Sequence, residues 1–449
     1  MKPGTSRVRW LLVFWIFILS AIAFLDRVNI SIAGTQIASQ FQLSNVQLGW
    51  IFSAFLAGYA FAQAPAGRFA DRVGPRRVLA AGVIWWGLFT ALTAAIPLGV
   101  AHALVVFIVL RFLLGAGEAV VYPASNQFVS RWIPSQERGM ANGWIFAGVG
   151  AGAGLSPPLI TFIMLNHGWR WSFWMCALLG LAAGLVWLVI ARDRPSQHSG
   201  VSKEELSFIE SGLTVSTDNK DGQLIPWRTV LASKDVLAVT LSYFCFGYVA
   251  WIFFAWFYIY LAKVRQLDLK ASAVYGMLPF VGMAVGCLLG GALSDRLTQR
   301  FGPRVGRCIL SAIAVTVTAI FLGVGSSAAE ARIASVVLAG GAGTLYISQS
   351  AFWSVAADIG GASSGSVSGF MNMGAQIGGM VTASLTPWIA ARFGWTMSFL
   401  FAAALCLVGA AAWLMVDPNQ ALAVVSETGK SESRSTTSHA RIAVETRTH

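Results

Sequence analysis

Gly67-Arg68-Phe69-Ala70-Asp71-Arg72, continued by Val73-Gly74-Pro75-Arg76, decides the fold because it occurs twice. It returns as Gly291-Ala292-Leu293-Ser294-Asp295-Arg296, with Phe301-Gly302-Pro303-Arg304 behind it. A second motif repeats as well: Gly168-Trp169-Arg170-Trp171-Ser172-Phe173 reappears 226 residues on as Gly394-Trp395-Thr396-Met397-Ser398-Phe399. At the same offset Trp187 matches Trp413, and Gly143, Gly148 and Gly152 match Gly369, Gly374 and Gly378. Independent matches at nearly one spacing make each half of the chain a copy of one unit.

The sequence around these motifs shows what the unit is. Apolar blocks fall near 10–36, 47–66, 78–97, 102–124, 140–165, 171–191, 236–262, 272–293, 308–327, 331–353, 365–390 and 394–416. Each reaches the roughly 20 residues that cross a bilayer as a helix. With 56% hydrophobic and only 11% charged residues among 449, the chain has well under the roughly 25% charge of a soluble surface. The expected architecture is an all-α membrane protein: twelve transmembrane helices in two pseudo-symmetric six-helix bundles. Residues 1–195 form the N-terminal bundle, 196–235 a cytoplasmic central loop, 236–417 the C-terminal bundle, and 418–449 a disordered Ser/Thr-rich cytoplasmic tail. Lys2, Arg7 and Arg9 before an apolar run, with Ser20-Ala21-Ile22-Ala23 beyond, have the look of a signal peptide. The many similar blocks that follow favour an uncleaved first span instead.

Charge sets the orientation. With both termini in the cytoplasm, 23 Lys and Arg fall in cytoplasmic segments and 6 outside, leaving Arg27 and Arg111 within spans. That asymmetry is the positive-inside pattern of a multi-pass protein of a bacterial inner membrane. It also accounts for the net charge of +12 without nucleic acid as a partner. Parallel repeats of six helices mark a transporter whose site lies between the halves near the bilayer midplane.

The glycine–acid–arginine loops after spans 2 and 8 resemble the signature of the major facilitator superfamily. Within it the chain is similar to the anion:cation symporter family, which includes bacterial carriers for sugar acids and phthalate and, more distantly, sialin and the vesicular glutamate transporters. The most specific matches are Phe24-Leu25-Asp26-Arg27-Val28-Asn29 in span 1 and Arg111-Phe112-Leu113-Leu114-Gly115-Ala116-Gly117-Glu118 with Pro123 in span 4. Trp132, Pro134, Glu137 and Arg138 follow, and later Phe352-Trp353, Asp358-Ile359-Gly360-Gly361, Gly369-Phe370-Met371-Asn372 and Gly378-Gly379. The chain departs from the pattern at Trp256-Phe257-Tyr258 and Gln376, and span 5 offers no polar side chain over 147–154.

Asp26, Arg27, Arg111 and Glu118 lie inside apolar spans. Facing lipid, the four would together cost roughly 10–14 kcal/mol on insertion scales, so they face one another or a wet cavity. Arg111 and Glu118, seven residues apart, share a helix face at about 10 Å. One reading is a salt-bridged cluster that only ties helices together. The functional reading makes Arg27 and Arg111 forks for a carboxylate and Asp26 and Glu118 proton carriers. Protonating the acids would release the arginines for an anion, a physical basis for symport. Spans 7, 8, 10 and 11 offer instead Tyr243, Tyr346, Ser348, Gln349, Ser350, Trp353, Asn372 and Gln376, which suit the polyol end of a sugar acid. The expected substrate contacts are Arg27, Arg111, Tyr59, Trp353, Asn372, Ser350 and Gln376. Asp71, Arg72 and Arg76, with Asp295 and Arg296, form an expected cytoplasmic gate.

The five histidines show no metal spacing and the five cysteines no CxxC pairing, and no Gly-x-x-x-x-Gly-Lys-Ser/Thr loop for ATP is present. No cofactor or metal is expected. The composite expectation is a monomeric importer that couples a small organic anion to protons. An exporter or exchanger on the same fold is the alternative. A membrane-embedded enzyme would need a nucleophile or metal beside the charged cluster.

Overall fold

The computed structural model describes residues 6–213, 224–257, 260–267 and 269–422. Lys2 and Tyr258 of the sequence reading lie outside them, as do residues 423–449 of the expected tail. The elements are helical throughout the described residues. That is what an apolar environment requires, since a helix satisfies its backbone hydrogen bonds within one segment.

The helices are α1 (Val8–Gln40), α2 (Asn45–Val73), α3 (Pro75–Ala95), α4 (Ala103–Glu118), α5 (Val121–Trp132), α6 (Arg138–His167) and α7 (Trp169–Ile190) in the first half. Short α8 (Lys203–Gly212) and α9 (Trp227–Ala232) lie between the halves. The second half holds α10 (Lys234–Ala255), α11 (Leu269–Phe301), α12 (Leu310–Ser327), α13 (Ala331–Ile347), α14 (Gln349–Gly360), α15 (Ser364–Phe393) and α16 (Trp395–Leu414). Among the described residues ten segments are long and apolar enough to cross a membrane, one of them the 63-residue stretch Ala331–Phe393. That stretch contains two crossings, α13 with α14 and then α15. The twelfth crossing is α2, whose Gln63, Arg68, Asp71 and Arg72 dilute its hydropathy. Large apolar side chains such as Phe61, Leu165, Leu178 and Val189 are more than two-thirds exposed, a surface suited to lipid rather than water.

The repeat survives as conformation. Gly74 and Gly302, each before a proline, have φ of 101° and 85°; Gly168 and Gly394 have φ of 82° and 85°. At all four positions the chain leaves one helix and starts the next through a region that L side chains avoid, so the glycines of both motifs are turn-makers. Span 4 breaks between α4 and α5, directly after Glu118, and span 10 breaks at Ser348 between α13 and α14.

The two halves meet chiefly along two helix pairs, α2 with α15 and α6 with α11. Glycines permit the approach: a Cβ added at Gly67 would stand 1.9 Å from Gly365 O, and one at Gly291 would stand 2.5 Å from Gly139 O. Both ends of the described chain lie on one face. There Arg9 Nε donates to Glu137 Oε2 at 2.9 Å, and Leu422 N donates to Ile359 O at 2.9 Å. The segment between the halves docks on the same face, where Ile225 N donates to Ser363 Oγ at 2.9 Å and Ile225 O accepts from Arg68 Nη1 at 2.7 Å.

Candidate functional site: a cavity between the bundles

A cavity of about 200 Å³ lies between the halves. The first half lines it with Arg27, Tyr59, Tyr122 and Phe146; the second with Tyr243, Tyr346, Gln349, Asn372 and Gln376. It continues past Phe24 and Phe254 to Ser31, 23 residues beyond Val8 along α1, about 35 Å from the face with the termini.

Span 1 delivers the charge. Arg27 Nη2 donates to Glu118 Oε1 at 2.5 Å, joining α1 to the end of α4. The guanidinium lies 4.5 Å from the Phe24 ring, 4.6 Å from Tyr59 and 5.1 Å from Phe55. Aromatic faces hold a weakly hydrated planar cation well. Asp26, one residue earlier, points the other way and accepts from Thr90 Oγ1 at 2.8 Å. Arg111 lies 5.0 Å from the same Phe55 ring. Asp26, Arg111 and Glu118 are each 1% exposed or less. Asp26 Oδ1, Glu118 Oε2 and Nε and Nη1 of Arg111 have no hydrogen-bond partner. Buried polar atoms are rarely left so, and the cluster keeps capacity for a ligand, a proton or water.

The opposite wall is neutral. Tyr243 OH accepts from Gln349 Nε2 at 2.9 Å and from Trp353 Nε1 at 3.0 Å. Asn372 Nδ2 donates to Gln63 Oε1 at 3.0 Å. Four of the seven expected substrate contacts, Arg27, Tyr59, Asn372 and Gln376, line the cavity. The other three do not. Arg111 stands beside Phe55; Ser350 is fully buried. Trp353 packs behind the wall, 5.0 Å from Phe146 and 5.8 Å from Tyr122. It joins the two halves as a floor plate rather than facing the cavity.

The face bearing the termini is closed, and Asp71 and Asp295 bond across it from one half to the other. Asp71 accepts from Gly365 N at 2.9 Å, Ser366 N at 2.8 Å and Ser366 Oγ at 2.5 Å. Asp295 accepts from Gly139 N at 2.8 Å and Met140 N at 2.6 Å. Each carboxylate thus caps the N-terminus of a helix in the other bundle, α15 and α6, where free N–H groups and the helix dipole favour an anion. The expected gate arginines stand apart from these bonds. Arg76 Nη2 donates to Leu188 O within its own bundle at 2.5 Å, while Arg72 and Arg296 are exposed.

A third tie went unread in the sequence. Asp358 accepts from Arg138 of the first half and pairs with Arg307 of the second, and Arg307 Nη2 donates to Ser135 O at 2.6 Å. Gln127 Nε2 donates to Ala362 O at 3.0 Å beside it.

The Major Facilitator Superfamily profile matches residues 16–379 and 354–444. The chain belongs to the Major Facilitator Superfamily. It is 33% identical over 400 residues to the "probable sulfoacetate transporter SauU" of Cupriavidus necator, covering 88% of this chain and 91% of that one. It is 31% identical over 309 residues to the "probable galactarate/D-glucarate transporter GarP" of Escherichia coli K12, covering 67% and 69%. The proton:xylose symporter XylE superposes with a TM-score of 0.72 at 16% identity, over 89% of this chain and 94% of that one. The superfamily fold, the multi-pass membrane setting and the role of transporter rather than enzyme follow, and the relatives agree with the anion:cation symporter branch.

Several residues of this superfamily member's cavity escaped sequence reading. Tyr122 reaches it from α5, bonded to Ser20 Oγ at 3.0 Å; Thr90 and Gln63 hold Asp26 and Asn372 from behind. The span-internal position of Gln63 was the available signal. Nothing in the local pattern singles out Thr90 or Tyr122.

Proposed function

We propose that this chain is a proton-coupled symporter that imports a small organic anion, a sugar acid or related hydroxy-carboxylate, across a bacterial inner membrane with both termini in the cytoplasm. The observation that carries the reading is the Arg27–Glu118 ion pair at the wall of the inter-bundle cavity, with Asp26 and Arg111 buried nearby. The relatives named for sulfoacetate and for galactarate/D-glucarate support an anionic substrate.

With both acids ionised the four groups are neutral together and Glu118 occupies Arg27. A proton on Glu118 removes the competing charge and leaves the Arg27 fork to a substrate carboxylate, which it meets with charge-assisted hydrogen bonds. Asp26 is the second proton carrier, its free Oδ1 the place for the proton. The conformation at hand, closed where the termini lie, is then the outward-facing one. Substrate and proton load from outside. The Asp71 and Asp295 caps release as the inner side opens, the acids ionise, and Arg27 returns to Glu118 and expels the anion. Arg111 bonds no substrate directly in this scheme and sets the potential around Asp26 and Glu118.

Uptake into proteoliposomes tests it, with and without an imposed pH gradient, beside counterflow at equal pH. Asp26→Asn and Glu118→Gln are expected to lose gradient-driven accumulation while at least one retains exchange. Accumulation by both variants under a gradient would show that the proton passes through neither residue.

A further inference from the structure

The cavity wall carries an uneven distribution of charge that bears on which anions it accepts. Among the described residues Arg27 is the one cation on that wall. It stands on the first half, and its hydrogen-bonding partner is Glu118. Arg111, the other intramembrane arginine, is 1% exposed and absent from the lining.

Across the cavity the polar groups are neutral, and only part of their hydrogen-bonding capacity is committed. Gln349 gives its amide N–H to Tyr243 OH, and Gln349 Oε1 is buried with no partner. Asn372 gives an amide N–H to Gln63 Oε1. Tyr243 OH receives the indole N–H of Trp353 besides that of Gln349. What this wall presents to a ligand is a set of neutral groups that both donate and accept, with no cation among them. Such a wall matches hydroxyl groups and supplies no counter-charge to a second carboxylate. Between the two poles the lining is aromatic, with Phe24, Phe146, Phe246 and Phe254 among its residues, and offers no solvation to a second charge.

We propose that the cavity selects mono-anions: a single carboxylate at Arg27 and a hydroxyl-bearing far end at Gln349 and Asn372, with a diacid of the same skeleton excluded. This rests on the sugar-acid reading above and narrows it. It also separates this chain from the printed substrates of the two relatives described, since galactarate, D-glucarate and sulfoacetate each carry two acidic groups. A second carboxylate placed opposite Arg27 would be buried without a counter-charge. Unpaired charges of that kind cost enough at interfaces to weaken binding by roughly 30-fold or more.

The test compares D-gluconate with D-glucarate, which share six carbons and four secondary hydroxyls and differ in the second carboxyl. Binding to the purified full-length protein is measured by calorimetry at pH 7.5 and again at pH 5.5. The ratio of the two affinities is the readout, because titration of the protein's own acids acts on both ligands alike. D-gluconate is expected to bind at least roughly 30-fold tighter at pH 7.5. The ratio should shrink at pH 5.5, where the half-protonated diacid is more populated given an ordinary carboxyl pKa of about 4. Gln376→Lys, which adds a cation to the far wall, should narrow the ratio at pH 7.5. Equal or tighter binding of D-glucarate by the wild type overturns mono-anion selection and leaves the sugar-acid reading standing. Failure of both ligands to bind overturns that reading and the selection built on it. A ratio unmoved by both pH and Gln376→Lys would show that charge is not what discriminates, and the proposal would be wrong.

Discussion

Asp71→Asn offers the sharpest test of how the closed face is held. The carboxylate of Asp71 takes two backbone N–H groups and one hydroxyl from the first turn of α15. Asparagine keeps one acceptor oxygen and turns the other into an NH2 that faces an N–H. One charge-assisted hydrogen bond is lost, about 1.5–3 kcal/mol, together with the charge–dipole attraction at the helix start, about 0.3–1 kcal/mol. In the open conformation the same carboxylate is hydrated, so nearly all of this loss falls on the closed state. The closed-to-open ratio should drop by about 2–4 kcal/mol, roughly 30-fold to several hundred-fold. Spin labels at Arg77→Cys and Arg300→Cys, both exposed on the face with the termini, would report the separation of the bundles; the five native cysteines are buried. Pulsed distance measurements should show the short distance giving way to a longer one in Asp71→Asn. Turnover should fall far more than ligand affinity. An unchanged distance distribution would mean that the cap does not hold the face shut, and a collapse of affinity with normal cycling would remove Asp71 from the gate.

Other expectations follow from the same geometry. Gly67→Ala places a Cβ 1.9 Å from Gly365 O, an overpacking of about 1–3 kcal/mol that should open the same face; the same distance measurement would show no change if α2 and α15 slide apart freely. Arg27→Lys keeps the charge but loses the fork stacked between Phe24 and Tyr59. Carboxylate affinity should therefore fall by about 10-fold to 150-fold by calorimetry, and wild-type affinity in that variant would end its role as the clamp. A cysteine at exposed Glu204 in α8 should react with an impermeant maleimide only after the inner face is opened, and labelling from outside intact cells would invert the orientation. Ser216, in the same inter-bundle segment, lies outside the described residues.

Much of this protein is legible in its sequence because lipid leaves a chain few options. Blocks of some twenty apolar residues become helices whatever their neighbours do. A duplicated glycine–proline turn keeps its backbone conformation in both copies, as Gly74 and Gly302 show. Intramembrane charge is equally legible: the expense of facing lipid obliges Asp26, Arg27, Arg111 and Glu118 to find partners or water. Pairing is another matter. Whether Glu118 meets Arg27 or Arg111 depends on how α1 and α4 are rotated against each other, and the Arg27 contact spans 91 residues of sequence. Trp353 and Ser350 carry the polar chemistry of a binding residue, yet they sit behind the wall, because which face of a nearly all-buried helix such as α14 meets the cavity is set by packing and not by periodicity. The gate acids show the same division. Their repeat marks them out in the sequence, but their partners are chiefly backbone N–H groups, which every residue except proline possesses and no sequence pattern can mark. Only the crossing of α2 over α15, and of α11 over α6, brings Asp71 and Asp295 to those helix ends.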